Sequence, residues 1–184
     1  MRELTDLLAG IPFEIRTLAD YQELVMPEET GDTYEANALI KARAVAAHTG
    51  LLALGDDSGI EVDALDGAPG VRSARYGGPG LDDRGRVDLL LRSIAQVPDA
   101  GRGAHFRCVI ALVGPNRGET IVEGACDGFI ARESRGTEGF GYDPVFFYPP
   151  FGKTFGETPD AAKAGVSHRG RAAMAARAAL IAIG

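Results

Sequence analysis

Hydrophobic residues recur every three or four positions in several stretches of the chain, which is the spacing of an amphipathic helix. Before one of these stretches, Asp32 and Glu35 form a capping-box pair, and Gly50 supplies a left-handed residue that ends the helix. The last stretch is rich in alanine and has Ser167 as its expected N-cap. Helices are therefore predicted over residues 2–9, from Asp32 to about Gly50, over residues 82–97, and from Ser167 almost to Gly184.

Other stretches alternate polar and apolar residues, as half-buried strands do, or are short apolar runs typical of buried strands. Two of them flank the turn-forming segment 114–118, so a β-hairpin is expected in the middle of the chain. The acidic pair Asp56 and Asp57 is assigned to a turn between two others. Hairpin strands together with helical crossovers indicate an α/β domain with a mixed sheet. Strands are predicted over residues 13–18, 51–55, 60–65, 105–113, 120–132 and 145–147.

The composition of the 184-residue chain is that of a soluble globular protein, with 45% hydrophobic and 24% charged residues. No apolar stretch reaches the length of a membrane span, and the first residues lack the apolar core of a signal peptide. A cytoplasmic location is therefore expected, with Cys108 and Cys126 as buried thiols. The net charge of -7 argues against binding of duplex nucleic acid, but a metal ion and a few local cations could hold a small anion.

The first candidate for chemistry is the segment 55–59, in which two carboxylates and a hydroxyl stand between glycines. Carboxylate oxygens are ligands that Mg²⁺ prefers, and glycines let backbone N–H groups approach a phosphate. The alternative is an Asx turn with solvated carboxylates, and this segment alone leaves both interpretations open. Glu28, Glu29 or Glu35 could complete a metal site, although an isolated acidic run is more often a solvated loop.

A second candidate is the segment 139–144, in which the aromatic residue Phe140 stands between glycines. Such a residue can stack on a nucleobase, and the nearby Asp143 can accept hydrogen bonds from a base or sugar. The same residues also describe an ordinary turn that leads into the strand at 145–147. Taken alone, this segment favours the turn.

A third candidate combines Lys163 with Ser167, His168 and Arg169, which puts several cations beside the start of a helix. Helix N-termini bind anions, and the arginine fork suits a carbonyl or phosphate. The alternative is an N-cap followed by exposed first-turn residues. Because cations at a helix N-terminus oppose the macrodipole, their presence favours a functional role. Zinc-site spacing, a nucleophile elbow and a P-loop are absent, the last because Phe147 occupies the position of its first glycine.

Taken in order, six short motifs closely resemble the inosine/xanthosine triphosphate pyrophosphatase family over nearly the whole chain. Each motif is weak by itself, but their shared order is specific. The motifs lie at residues 28–31, 33–38, 56–59, 67–76, 139–144 and 167–170.

This resemblance implies an elongated mixed β-sheet flanked by helices, with two lobes and a central nucleotide cleft. It also implies a single domain over residues 1–184 and a cytoplasmic homodimer. The activity that it implies is hydrolysis of the bond between the α- and β-phosphates of ITP, dITP and XTP, with Mg²⁺ as the cofactor. Neither nucleic acid nor a membrane is expected as a partner.

Carried over residue by residue, the resemblance implies that Asp57 is the catalytic acid/base and that Asp57 and Glu28 hold Mg²⁺. A site that donates hydrogen bonds to a purine 6-oxo group would reject ATP, because a 6-amino group leaves those donors unpaired. His168 and Arg169 are the expected donors. The expected substrate-binding residues are Ser58 at the phosphates, Phe140, Gly141, Tyr142 and Asp143 at the base, and Lys163, His168 and Arg169 along the nucleotide pocket.

The sequence departs from the family at its start. The family begins with a short strand and a loop of the form Ser/Thr-x-Asn-x-x-Lys that grips the triphosphate, whereas this sequence resembles the part that follows. The expectation is a truncated or incorrectly started form. The competing interpretations are a non-catalytic nucleotide-binding protein that lost phosphate handling with this segment, and a related pyrophosphatase for modified pyrimidine nucleotides. Release of pyrophosphate from a panel of nucleotides distinguishes them.

Overall fold

The structure is a computed structural model that describes residues 2–21, 23–115 and 118–183. Its α-helices are Arg2–Leu7 (α1), Tyr34–Thr49 (α2), Asp83–Ser93 (α3), Asp160–Lys163 (α4) and His168–Ile183 (α5). Its β-strands are Ala53–Val62 (β1), Gly103–Gly114 (β2), Gly118–Ile130 (β3), Phe146–Tyr148 (β4) and Lys153–Thr154 (β5). Among these described residues, no helix is both long and apolar enough to span a bilayer.

The five strands form one sheet in the order β1-β2-β3-β4-β5, so each strand lies beside the next one along the chain. Phe146 on β4 lies opposite Ile130 on β3, and Lys153 on β5 lies opposite Tyr148, both in antiparallel register. The α/β class and the central hairpin are confirmed. The sheet is antiparallel in the described strands, whereas a mixture of directions was expected. A chain that reverses at the end of each strand produces antiparallel neighbours.

The chain divides into two compact units. Unit 1 comprises Met1–Ser58, Cys108–Gly124 and His168–Gly184, and unit 2 comprises Gly59–Arg107 and Ala125–Ser167. Strands β1, β2 and β3 therefore each contribute residues to both units.

The core of unit 1 is built on both faces of β2. One face buries Cys108, Ile110 and Leu112 against alanines and Leu180 of α5, and the other packs Val109 and Ala111 against α2. This explains why the strand reads as a continuous apolar run rather than an alternating one. Glycines on the neighbouring strands permit the close approach of the helices. A Cβ at Gly55 would lie 2.5 Å from the Ala38 carbonyl oxygen of α2, and one at Gly124 would collide with the start of α5.

The core of unit 2 is aromatic. The Phe106 and Phe146 ring centroids lie 4.5 Å apart, and those of Phe146 and Phe155 lie 5.0 Å apart. Leu90 and other apolar residues of α3 pack against this group. The buried Arg102 guanidinium donates hydrogen bonds to the carbonyl groups of Ile94, Ile130 and Ala131. These bonds satisfy carbonyls where α3 and β3 end, and they give the buried guanidinium polar partners inside the unit.

The predicted strand at 13–18 is wrong, because its last residue opens a short 3-10 helix, Leu18–Asp20. Thr17 caps this turn, and its N–H donates to the Asp20 carboxylate at 2.7 Å. Ile15 is 38% exposed, so the alternating pattern does not correspond to a sheet with one buried face. A local side-chain cap has overridden the period-two pattern.

The predicted capping box at Asp32 and Glu35 is wrong, because the N-cap lies one residue later in the chain. Thr33 is the N-cap of α2, and its hydroxyl accepts the N–H of Ala36 at 3.1 Å. Gly50 ends the helix with a φ of 68°, as predicted. Helix α3 ends at Ser93 rather than at residue 97, and α5 begins directly after Ser167. The residues 116–117 of the predicted turn and the predicted helix end at 184 lie outside the described residues.

Candidate active site

The acidic segment lies within a strand and not in a turn. β1 runs without interruption from Ala53 to Val62, so the predicted turn at Asp56 and Asp57 is wrong. The turn preference of Asp, Ser and Gly is overridden because Gly55 lets α2 pack directly on this strand. Alternation then separates the side chains, since Asp57 contacts α2 while its two sequence neighbours contact α5.

Asp57 is only 8% exposed, and its carboxylate is held by two residues of α2. The Asn37 side-chain amide donates to Asp57 Oδ2 at 3.0 Å, and Lys41 Nζ lies 3.4 Å from Oδ1. The other end of the buried Asn37 amide accepts the N–H of Gly31 at 2.8 Å. Because both ends of the amide are engaged, its orientation toward Asp57 is determined.

Lys41 also binds a second carboxylate, that of Glu29, at 2.8 Å. Burial raises the pKa of the Asp57 carboxyl, Lys41 and the Asn37 hydrogen bond oppose that rise, and the negative charge of Glu29 adds to it. A carboxylate in this environment accepts a proton more readily than a solvated one does. We refer to Glu29, Asn37, Lys41 and Asp57 as the Asp57 cluster.

The predicted metal ligand Glu28 is exposed, and it is the adjacent Glu29 that contacts Lys41. The described residues contain no group of three or more His, Cys, Asp or Glu side chains placed to hold a metal ion. Mg²⁺ does not need such a group, because it is usually bound through one or two carboxylates together with substrate phosphates. Glu29 and Asp57 both contact the Lys41 ammonium, and their carboxylate oxygens are of the type that Mg²⁺ prefers.

The opposite face of β1 meets the first turn of α5. Arg169 Nη2 donates to the Ser58 hydroxyl at 3.1 Å and lies 3.5 Å from Asp56 Oδ2. His168, the first residue of α5, is buried. Contacts with a carboxylate and a hydroxyl compensate for placing the Arg169 cation at a helix N-terminus. The structure thus brings together Ser58 and Arg169, two of the predicted substrate-binding residues.

Residues 139–143 form the aromatic loop of unit 2. Phe140 is 51% exposed, the largest exposed fraction of any phenylalanine in the chain. The flanking Gly139 and Gly141 have φ angles of 75° and 56°, a region that glycine adopts without strain. Asp143 closes the turn, because its carboxylate accepts the Phe140 N–H at 3.0 Å. The segment is a turn, as its composition indicates, and it presents an aromatic ring to solvent.

A buried ion pair supports this loop. Lys163, the last residue of α4, donates to Asp143 Oδ2 at 2.8 Å, and both side chains are almost completely buried. Lys163 Nζ also lies 5.4 Å from the centroid of the Phe140 ring, within the range of a cation–π contact. Tyr142 is buried, its hydroxyl donates to the Ser73 carbonyl at 2.9 Å, and burial raises the pKa of that hydroxyl.

Asn37 and Lys41 were not predicted from the sequence as site residues, although Asn37 belongs to the motif at residues 33–38. The two residues lie four positions apart on α2, whose other buried residues are alanines. This spacing puts both polar side chains on one face of the helix, and it is the sequence pattern that could have indicated their role. That they meet Asp57 depends on the packing of α2 against β1, which no local pattern reports.

The chain is similar to curated proteins along most of its length. Two similar curated relatives are dITP/XTP pyrophosphatases. The one from Geobacter sulfurreducens is 48% identical over 94% of this chain and 86% of the relative, and the one from Desulforamulus reducens is 45% identical with the same coverages.

Solved structures of Ham1 proteins have the same fold. The HAM1 protein from Coxiella burnetii matches with a TM-score of 0.90 and 40% identity, covering 97% of this chain and 91% of that one. The Staphylococcus aureus Ham1 protein matches with a TM-score of 0.91 and 33% identity, covering 100% of this chain and 95% of that one. Residues 1–179 match the Ham1 family, and the chain belongs to that family.

Proposed function

We propose that this protein hydrolyses the non-canonical purine nucleoside triphosphates ITP, dITP and XTP to the monophosphate and pyrophosphate. The observation that carries the proposal is the buried Asp57 carboxylate, held by Asn37 and Lys41 in an environment that raises its pKa. The dITP/XTP pyrophosphatase relatives support the same activity.

Asp57 is the catalytic base in this proposal. Its carboxylate orients the attacking water and accepts a proton from it, which is a task suited to a carboxyl whose pKa lies above the ordinary value. Asn37 keeps one carboxylate oxygen in place through a fixed amide, while Lys41 supplies positive charge beside the other. Attack on the α-phosphorus then releases pyrophosphate.

Mg²⁺ is the proposed cofactor, with Asp57 and Glu28 as its protein ligands. When bound, the metal would neutralise charge on the triphosphate. Glu28→Gln is expected to raise the Mg²⁺ concentration needed for half-maximal activity without changing base preference, because its role is remote from the purine. Glu29→Gln and Glu35→Gln are the matched comparisons. If either one shifts the metal requirement and Glu28→Gln does not, Glu28 is the wrong carboxylate.

The remaining assignments divide between phosphate and base. Ser58 binds phosphate, and the hydrogen bond that its hydroxyl accepts from Arg169 holds it in place. Phe140 stacks on the purine, a role supported by its exposed ring. Asp143 and Lys163 support that ring and line the base site together with Gly141 and Tyr142. His168 and Arg169 donate to the 6-oxo group, which separates ITP from ATP.

We further propose that the protein is a cytoplasmic homodimer, as the family resemblance implies. Light scattering of the purified protein at several concentrations tests the assembly. A mass corresponding to one chain at all concentrations would remove the dimer from the proposal.

The decisive experiment measures pyrophosphate release from ITP, dITP, XTP, ATP and a modified pyrimidine triphosphate, each with Mg²⁺ and with excess chelator. Metal-dependent release from the 6-oxopurine nucleotides, with little release from the others, is expected. Binding of ITP without release of pyrophosphate would identify a nucleotide-binding protein instead. Preferential hydrolysis of the pyrimidine nucleotide would change the substrate class.

A further inference from the structure

The Tyr142 hydroxyl is directed into unit 2, although it belongs to the loop that exposes Phe140. Tyr142 is 6% exposed, and its hydroxyl donates to the Ser73 carbonyl at 2.9 Å. The single O–H donor of the tyrosine is therefore used inside the protein. The hydroxyl is therefore placed to support the loop and not to contact a nucleotide.

The acceptor of this hydrogen bond is itself firmly held. Ser73 lies in the 3-10 helix Gly70–Arg75, where its hydroxyl donates to the Gly70 carbonyl at 2.7 Å. The same hydroxyl oxygen accepts the N–H of Ile60 on β1 at 2.9 Å. Ser73 therefore connects the aromatic loop to a strand of the sheet, and a donor bound to its carbonyl acquires a defined position.

The hydrogen bonds of the aromatic loop differ in how far they are buried from solvent. The Gly141 N–H donates to an Asp83 carboxylate oxygen at 3.3 Å, but that carboxylate is mostly exposed. The Tyr142 bond to Ser73 is shorter and buried, and hydrogen bonds in a low-dielectric interior are stronger than those in water. The buried bond is thus well suited to restrain the residues between Gly139 and Asp143.

We propose that Tyr142 is a positioning residue, whose hydroxyl holds Phe140 through Ser73 in the orientation that receives the purine base. The inference rests on the proposed role of Phe140 in base stacking. Without the hydroxyl, the loop populates other orientations, and the apparent affinity for nucleotide falls with the fraction that remains competent. The chemistry at Asp57 is unaffected. The expected signature is an increase in KM at constant kcat.

Tyr142→Phe tests this role, because it keeps the buried ring and removes only the hydroxyl. KM for ITP is expected to rise about three- to tenfold, the range that corresponds to one intramolecular hydrogen bond, while kcat changes by less than about twofold. Tyr148→Phe is the matched control, since it removes the hydroxyl of another buried tyrosine of unit 2. Its KM is expected to equal that of the unaltered protein. Equal thermal denaturation of both variants shows that the fold is retained.

A double-mutant cycle separates positioning of Phe140 from a direct or general effect. In a Phe140→Ala background, Tyr142→Phe should raise KM no further, because the ring to be positioned is gone. An increase by the same factor in both backgrounds, or no increase in either, would overturn the positioning role while leaving base stacking intact. If Phe140→Ala alone leaves KM unchanged, the stacking assignment fails, and the inference built on it fails with it.

Discussion

The Asp57 cluster and the aromatic loop hold their functional groups in different ways. Asp57, Asn37 and Lys41 lie on a strand and a helix, are mostly buried, and satisfy one another through side-chain hydrogen bonds and charge. The aromatic loop contains glycines with positive φ. Its exposed ring is held by a turn that Asp143 closes and by the hydrogen bond from Tyr142 to Ser73. Proton transfer requires a carboxyl with a controlled pKa and position, whereas stacking requires a surface that faces outward.

The difference between the two regions also appears in how each tolerates change. In the Asp57 cluster, removing one member leaves a buried polar partner unsatisfied, which costs about 1–3 kcal/mol or more for a charged group. In the aromatic loop, removing the exposed Phe140 ring exposes little additional apolar surface. Substitutions in the first region should therefore affect turnover and stability together, and substitution of the exposed Phe140 should affect substrate binding.

The largest expected effect is that of Asp57→Asn. A neutral amide keeps the shape of the side chain but cannot accept the proton, so kcat should fall about 10²- to 10⁴-fold with little change in fold. Asp56→Asn is the matched control, because its carboxylate lies on the other face of β1. We expect it to reduce kcat far less. Pyrophosphate-release kinetics and circular dichroism measure both, and a well-folded, fully active Asp57→Asn protein would exclude Asp57 from the mechanism.

Substrate specificity provides the next largest effect. Arg169→Ala should narrow the ratio of kcat/KM for ITP over ATP about ten- to a hundredfold, because a charged hydrogen bond to the 6-oxo group is lost. Phe140→Ala should weaken both substrates about equally, since stacking tolerates either base. A parallel loss for both nucleotides in Arg169→Ala would make Arg169 a phosphate ligand.

Asn37→Ala should lower kcat about tenfold and reduce the free energy of unfolding by about 1–3 kcal/mol, because it leaves the Gly31 N–H and one Asp57 oxygen without the amide. Asn37→Asp is the matched variant of nearly the same shape, and it places a second negative charge beside Asp57. We expect it to be at least as damaging. Chemical denaturation and steady-state kinetics test both, and unchanged kinetics in both variants would mean that Asn37 does not hold the catalytic carboxylate.

The smallest expected effect concerns a surface bridge in unit 2 that belongs to neither region. His105 Nδ1 lies 2.8 Å from Asp127 Oδ1, and Nε2 lies 3.1 Å from Asp63 Oδ1. Only the charged ring can donate to both carboxylates, and the bond to Asp127, followed by the bond to Asp63, raises the pKa of His105. A raised folded-state pKa means that the added stability is complete below the unfolded pKa of about 6.5 and disappears as the pH rises through the folded pKa.

His105→Gln should therefore lower the melting temperature modestly near pH 5 and hardly at all near pH 9. His48→Gln is the control, because His48 is exposed at the end of α2. Neither substitution should alter KM for ITP. A loss of stability that is equal at both pH values would show that packing, and not the ionised bridge, is responsible.

Much of the fold follows from local pattern. Gly50 ends α2 because glycine adopts a φ of 68° without strain. Helix α3 begins after Asp82 because the Asp82 side chain accepts the N–H of Gly85. The apolar runs at β2 and β3 and the turn residues between them predict the hairpin. These elements were predictable because the determining interactions lie within a few residues. The strand predicted at 13–18 was wrong for an equally local reason, because Thr17 caps a 3-10 helix where the alternating pattern indicated a strand.

The order of the motifs determined the family, and the sequence alone pointed to Asp57, Ser58, Phe140 and Arg169 as residues worth attention. Only the tertiary structure decided that Asp57 lies inside a strand and faces Asn37 and Lys41, because that depends on how closely α2 packs at Gly55. Likewise, nothing near Tyr142 in the chain indicates that its hydroxyl binds Ser73, which is 69 positions away. Local propensity acts over a few residues, whereas the pKa and orientation of a buried group are set by whatever the fold brings against it.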